Sequence, residues 1–183
     1  MTFKELISNQ AICDALLTQG YEQPTPIQEQ AIPHMLAGKD IFGCAQTGTG
    51  KTAAFALPIL QMLNEQHLNR KDIRIKALVL APTRELAIQI NDSFRDYGKG
   101  LNLKHTVIYG GVSQHAQTKH LQSGVDILIA TPGRLMDLFQ QGFIKFKDLQ
   151  FLVLDEADRM LDMGFIHDIK RILKIIPTQR QTV

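Results

Sequence analysis

The chain has 183 residues, 44% of them hydrophobic, which suffices for one well-packed core and argues against a disordered chain. Lys and Arg number 20 against 18 Asp and Glu, so the field of the whole chain is nearly neutral and any polyanion site must be a local arrangement. Cys13 and Cys44 stand far apart and suggest neither a disulfide framework nor a zinc site; no leader-like start or membrane-spanning apolar run is present, which points to a reducing cytoplasm.

Short apolar, β-branched runs recur along the chain: "DIFGCA" (40–45), "KALVLAP" (76–82), "HTVIYGG" (105–111), "VDILIA" (125–130) and "QFLVLD" (150–155). They lack the alternation of a half-exposed strand and read as buried parallel strands. Helical patterns separate them. In "RELAIQINDSFRDY", Leu86, Ala87, Ile90, Phe94 and Tyr97 recur at spacings of three and four, and Ile166, Ile169, Ile172, Leu173 and Ile176 do the same near the end. The charge-rich "NEQHLNRKD" (64–72) reads as a solvated connection. Strand and helix alternating with right-handed crossovers predict an α/β fold, a mostly parallel sheet with helices on both faces.

In such a sheet, ligands bind beyond the carboxyl ends of the strands. Each predicted strand runs there into an unusual loop: "AQTGTGKT", "PTREL", "GGVS", "TPGR" and "DEAD". A purely structural domain has no reason to gather glycine, threonine, arginine and acid along one edge.

The first loop has the makings of a phosphate cradle. Glycines let backbone N–H groups wrap a phosphate, a lysine reaches the outer phosphates, and a hydroxyl binds Mg²⁺. Gly48, Gly50, Lys51 and Thr52 supply these, with the positive end of the following helix behind them. Ala45 stands where the strict pattern has its first glycine, and the bland alternative is a glycine-rich turn that binds nothing. Cys44 beside it reads as a core residue. "FLVLDEAD" ends a strand in acid, where P-loop NTPases hold Mg²⁺. Asp155 is the metal candidate, through water, Glu156 can orient and deprotonate an attacking water, and Asp158 is better placed to couple loops. Acids that open a helix are also common caps.

Thr83 and Thr131 can each cap a helix, and Pro132 suits its first turn. Such ends leave backbone donors beside Arg84 or Arg134, a ready phosphate site, although capping plus a surface arginine is the plain alternative. Gly110 and Gly111 would let a second phosphate chain approach closely. Contacts of this kind hold nucleic acid by its backbone and carry no sequence code.

These residues resemble the amino-terminal RecA-like domain of the DEAD-box RNA helicases, a P-loop NTPase fold, along almost the whole chain. Phe3 with "GYEQPTPIQ" (20–28) is similar to the family's Q motif, which implies that Phe3 stacks on adenine and that Gln28 reads its edge, selecting ATP over GTP. "AQTGTGKT" matches motif I, whose usual first residue is Ala. That match implies that Thr47, Gly48, Thr49, Gly50, Lys51 and Thr52 bind the nucleotide, with Lys51, Asp155 and Glu156 catalytic and Thr52 and Asp155 at the Mg²⁺. "PTREL", "GG" and "TPGR" match motifs Ia, GG and Ib. They imply RNA contacts from Pro82, Thr83, Arg84, Gly110, Gly111, Thr131, Pro132, Gly133 and Arg134, with Asp158 coupling loops. "ADRMLDMGF" is also similar to bacterial members of the RhlE-like branch.

In the family a Ser-Ala-Thr motif follows the next strand, and "RQTV" looks like that strand's beginning. The resemblance therefore implies that residues 1–183 are helicase domain 1 and that the carboxy-terminal RecA-like domain, with arginines that reach the γ-phosphate, is absent. Arginines of that kind contribute roughly 10³–10⁵ in rate in related NTPases. The expectation is a monomeric, membrane-free fragment that binds ATP and Mg²⁺ but turns over negligibly. The parent enzyme would use ATP for local unwinding of single-stranded or duplex RNA of any sequence. Two alternatives stay open: a P-loop ATPase that remodels DNA or protein, and a nucleotide-gated binding module. His115 and His120 lack metal-ligand spacing, Met160 and Met163 read as core, and Tyr21 either supports the adenine pocket or packs beside Pro24 and Pro26.

Overall fold

The computed structural model describes residues 1–46, 48–67 and 73–183, and its contacts divide them into two compact units. The first holds Met1–Arg70, Asp92–Leu103 and Gln181–Val183, and the second holds Lys71–Asn91 and Lys104–Arg180.

The first unit is helical. Helices α1 (Phe3–Leu6), α2 (Gln10–Thr18), α3 (Pro26–Leu36) and α4 (Lys51–His67) precede the later half of α5 (Arg84–Tyr97), and β5 (Gln181–Thr182) closes the unit. Thr25 caps α3, with Pro26 in the first turn where its missing N–H leaves no helical bond unmade. Helix α3 packs along α4, burying Ile32 and Met35 on one helix and Leu57, Leu60 and Leu63 on the other. On α5, Phe94 lies completely buried, its ring tilted against that of Phe55 with centroids 6.4 Å apart.

The second unit holds the sheet. Strands β1 (Ala77–Leu80), β2 (His105–Ile108), β3 (Ile127–Ala130) and β4 (Phe151–Leu154) alternate with the start of α5 and with α6 (His115–Gln122), α7 (Pro132–Gln140), α8 (Ala157–Asp162) and α9 (Ile166–Ile175). All pair in parallel, in the order β2-β3-β1-β4, with Leu80 beside both Ala130 and Leu154. Every residue of β1 and β3 is buried, as the unbroken apolar runs predicted, so both faces of these strands are covered. Leu78, Leu128 and Leu152 join Leu135, Leu138, Met160 and Ile172 in one core on one side. β1 lies between β3 and β4, so the loops after β1 and β4 flank the point where the chain reverses its direction across the sheet, the usual ligand crevice of an open α/β sheet.

Four of the five predicted strands form, each trimmed at its ends. "DIFGCA" does not: residues 40–45 carry no strand, and Ile41 N–H donates to the Thr182 carbonyl at 3.0 Å. Strand preference describes side chains that fit a pleated surface, and here Gly43 offers nothing to pack while Phe42 is 99% exposed. Cys44 is exposed with it, not a core residue. Residues 64–67 of the predicted connection continue α4, and 68–72 lie outside the described residues. Met160 is core, but Met163 is 48% exposed, because α8 ends at Asp162 and the turn carries Met163 off the buried stripe. On α9 the buried face is Ile169, Ile172 and Ile176, with Leu173 outside it. No described helix is long and apolar enough to cross a membrane.

Candidate functional site

In the first unit the glycine-rich loop enters α4 at Lys51, with Thr52 in its first turn. Gly48 and Gly50 have φ of 84° and 91°, a region that side chains with a Cβ rarely adopt, so both glycines are needed for the loop's path. Thr49 Oγ1 donates to the Gln46 carbonyl at 2.7 Å and closes the turn. Thr47 lies outside the described residues. The Gly50 carbonyl accepts the Ala54 N–H that starts the helix, at 3.1 Å, and also the carboxamide N–H of Gln28, at 3.1 Å. Gln28 sits in the first turn of α3, 3% exposed, and its Oε1 accepts from Thr25 N at 2.9 Å. The sequence reading thus has its adenine-reading residue and its phosphate loop joined directly.

Phe3 begins α1 and is 4% exposed. It lines a cavity of about 210 Å³ together with Cys13, Leu17, Tyr21 and Glu22. Burial pushes the Cys13 thiol up, so it sits there as a protonated, apolar wall. Tyr21, 45% exposed, stands edge-on to Tyr97, their ring centres 6.2 Å apart.

In the second unit the acidic run follows β4. Asp155 N–H continues the ladder to the Leu80 carbonyl at 3.0 Å, and Asp155 Oδ1 accepts from Glu156 N at 3.1 Å. Glu156 caps α8 with φ 50° and ψ 49°, the one left-handed residue other than glycine among the described residues. Such a conformation costs a residue with a Cβ roughly 1–3 kcal/mol and concentrates at working sites. It turns the carboxylate off the end of β4, where Oε2 meets Arg159 Nη1 at 3.1 Å. Asp158 lies exposed in the first turn of α8. Thr52 in the first unit and Asp155 in the second each offer an oxygen donor, the chemistry Mg²⁺ takes from proteins.

The remaining loops leave β1, β2 and β3. Thr83 Oγ1 accepts from Leu86 N at 3.3 Å and caps α5, Pro82 is buried, and Arg84 lies 4.8 Å from the centre of the Tyr109 ring. Gly110 and Gly111 are exposed, Gly111 with φ 79°. Thr131 caps α7 through its backbone, with Pro132 in the first turn and Gly133 exposed. Arg134 is no loose surface arginine: Nη2 donates to the Val112 carbonyl at 2.9 Å and Nη1 to Gln117 Oε1 at 3.2 Å, while Nε faces Asp137 at 3.7 Å. The three loops are therefore joined through Tyr109, Val112 and Gln117, which the sequence reading did not single out. The available signal was a glutamine on the α6 face that also carries Leu121 four residues on, a polar side chain where an apolar one belongs.

A family model described as DEAD/DEAH box helicase matches residues 25–183. The chain is 46% identical to the ATP-dependent RNA helicase CshA of Limosilactobacillus reuteri, over all of this chain and 36% of that protein. It is 50% identical to the ATP-dependent rRNA helicase RRP3 of Meyerozyma guilliermondii, over 99% of this chain and 37% of the other. Among solved structures it resembles a DEAD box protein from the hyperthermophile Methanococcus jannaschii, with a TM-score of 0.91 and 40% identity, over the whole of this chain and 48% of that one. It thus spans about a third of the length of these curated relatives.

Proposed function

This chain belongs to the DEAD/DEAH box helicase family, and from that premise we propose that it is the ATP-binding first RecA-like domain of an ATP-dependent RNA helicase that acts in the cytoplasm. The observation that carries the nucleotide half is the bond from Gln28 to Gly50. Gln28 has committed one N–H to Gly50 and one lone pair to Thr25, which leaves one of each. Adenine presents an acceptor at N7 and a donor at the exocyclic amine, and needs that pair. Guanine presents two acceptors along the same edge and leaves one side unmatched.

Lys51 and the N–H groups around Gly48 and Gly50 would hold the phosphates, with Thr52 and Asp155 as the protein ligands of Mg²⁺. The bound metal would neutralise charge on the phosphates. Glu156 would orient the attacking water and accept its proton, a role its strained, outward-turned backbone serves. Arg84, the exposed glycines, Thr131 and Gly133 would track RNA by its phosphates, which suits an enzyme that accepts any sequence. A second RecA-like domain, in the part of the parent beyond this chain, would close on both ligands and complete the catalytic site.

ATP hydrolysis tests this, measured on the 183-residue chain and on a version extended through a second domain, each with and without single-stranded RNA. Turnover confined to the extended protein and stimulated by RNA is the expected result. RNA-independent hydrolysis of equal rate by the short chain would overturn it.

A further inference from the structure

We infer that Gln117 is a positioning residue for RNA binding: its buried carboxamide holds Arg134 and the turn after β2 in one fixed arrangement, so that the loops ending β2 and β3 engage the phosphate chain together. The inference rests on the reading of these loops as an RNA track. It concerns a residue outside every motif that makes up that track.

Gln117 is 7% exposed, on the inner face of α6. Three bonds fix its amide. Nε2 donates to the Tyr109 carbonyl at 3.1 Å, and Oε1 accepts from Tyr109 N at 3.3 Å and from Arg134 Nη1 at 3.2 Å. The orientation is unambiguous, because a guanidinium has only donors and must therefore face the oxygen. Both lone pairs of that oxygen are taken.

The reason for the arrangement lies in the sheet. β2 stands at its edge, with β3 as its only strand neighbour among the described residues. The Ile108 carbonyl faces β3 and accepts from Thr131 N at 3.1 Å, so the N–H and C=O of Tyr109 point the other way, where no strand follows. A carboxamide has the same donor and acceptor pair as a peptide group, and Gln117 supplies it there. One side chain thereby fixes where the chain leaves β2 toward Gly110 and Gly111. Through Arg134 it also fixes Val112, just past those glycines, because Arg134 Nη2 donates to the Val112 carbonyl at 2.9 Å. Tyr109 in turn carries Arg84 over its ring at 4.8 Å.

The test uses a substitution that changes no charge. Affinity of the chain for a short oligouridylate is measured across a salt series for the unsubstituted protein, Gln117→Met, Arg134→Gln and the double variant. The logarithm of affinity falls against the logarithm of salt by about 0.7 for each phosphate contact to a single strand. Gln117→Met should lower that slope by about 0.7 even though it removes no cation, and the double variant should show the slope of Arg134→Gln alone. Adenosine nucleotide affinity should stay unchanged. Gln117→Asn, which keeps the amide but draws it back by one methylene, carries the same expectation if the methionine variant does not fold. An unchanged slope, or a loss in the double variant equal to the sum of the two single losses, overturns the inference. If the unsubstituted chain shows no salt-dependent affinity for RNA, the RNA track itself fails and the inference falls with it.

Discussion

The carboxamide of Gln28 donates to the carbonyl of Gly50 at 3.1 Å, across 22 residues of sequence. A Cβ built on Gly50 would run into that same Gln28 nitrogen and stand 3.1 Å from Thr25 Oγ1. The glycine is thus required twice, by its φ of 91° and by the close approach of α3. Gly50→Ala is expected to destabilise the chain by about 1–3 kcal/mol in a thermal or urea melt. In a Gln28→Ala background the collision with the amide is gone and the backbone strain and the tight approach to Thr25 Oγ1 remain, so the same change should cost visibly less. Equal losses in the two backgrounds would mean that the contact does not matter.

Gln28→Ala also bears on the base. Removal of the one group that matches adenine's donor and acceptor should bring the affinities for ATP and GTP together, chiefly by weakening ATP. Competition with a fluorescent nucleotide reads both on one protein. Preserved preference for ATP would assign base selection elsewhere.

Glu156 offers a case where stability and activity should part. Its left-handed backbone costs a residue with a Cβ about 1–3 kcal/mol, a cost that glycine escapes. Glu156→Gly should therefore melt no lower than Glu156→Ala, and higher if the α8 cap survives. Both should abolish turnover in the two-domain protein, as should Glu156→Gln. Turnover that survives Glu156→Gln would remove the carboxylate from the proton-accepting role.

Arg84 and Arg134 look equivalent in sequence and are not equivalent in the structure. Arg84 is exposed over Tyr109, whereas the Arg134 side chain is 11% exposed and holds the Val112 carbonyl. Arg84→Glu should weaken RNA binding and leave the melting temperature nearly unchanged. Arg134→Glu should lower both, because it removes the donor that Gln117 Oε1 and the exposed Val112 carbonyl share, at a cost of about 0.5–1.5 kcal/mol. Comparable melting losses for the two would contradict the assignment.

Burial, with a smaller contribution from Tyr21, pushes the Tyr97 phenol up to about 12 from an ordinary value of 10.0. A raised phenol favours the folded state while it is neutral. Its contribution is complete below pH 10 and is lost as pH climbs from about 10 toward about 12. Urea melts across this range should show a shallower loss of stability in Tyr97→Phe than in the parent. Parallel curves would place the alkaline loss on other groups.

The parallel strands β1, β3 and β4 were legible because strands buried on both faces must be apolar without interruption, and "ALVL", "ILIA" and "FLVL" are. The loops were legible through their position after those strands. "DIFGCA" misled because an apolar run states only that burial would be favourable, while Phe42 stands exposed. Tyr109 and Gln117 escaped notice for the opposite reason. Their role lies in a bond between an amide and a backbone eight residues away, and a single sequence carries no mark of which glutamine points inward. Arg134, read as part of a loop, lies in the first turn of α7, and its restraint by Val112 could be seen only with the turn in place.

The amide at the end of β2 has a consequence for solubility. An edge strand presents a row of unsatisfied peptide groups, a template onto which another extended chain can add. β2 is only four residues long, and at Tyr109 that row ends on a side chain of the same molecule. A strand arriving from a neighbouring molecule would find the donor and acceptor there already taken, so the open side of the sheet is shielded from edge-to-edge association at the point where its loop must stay exposed.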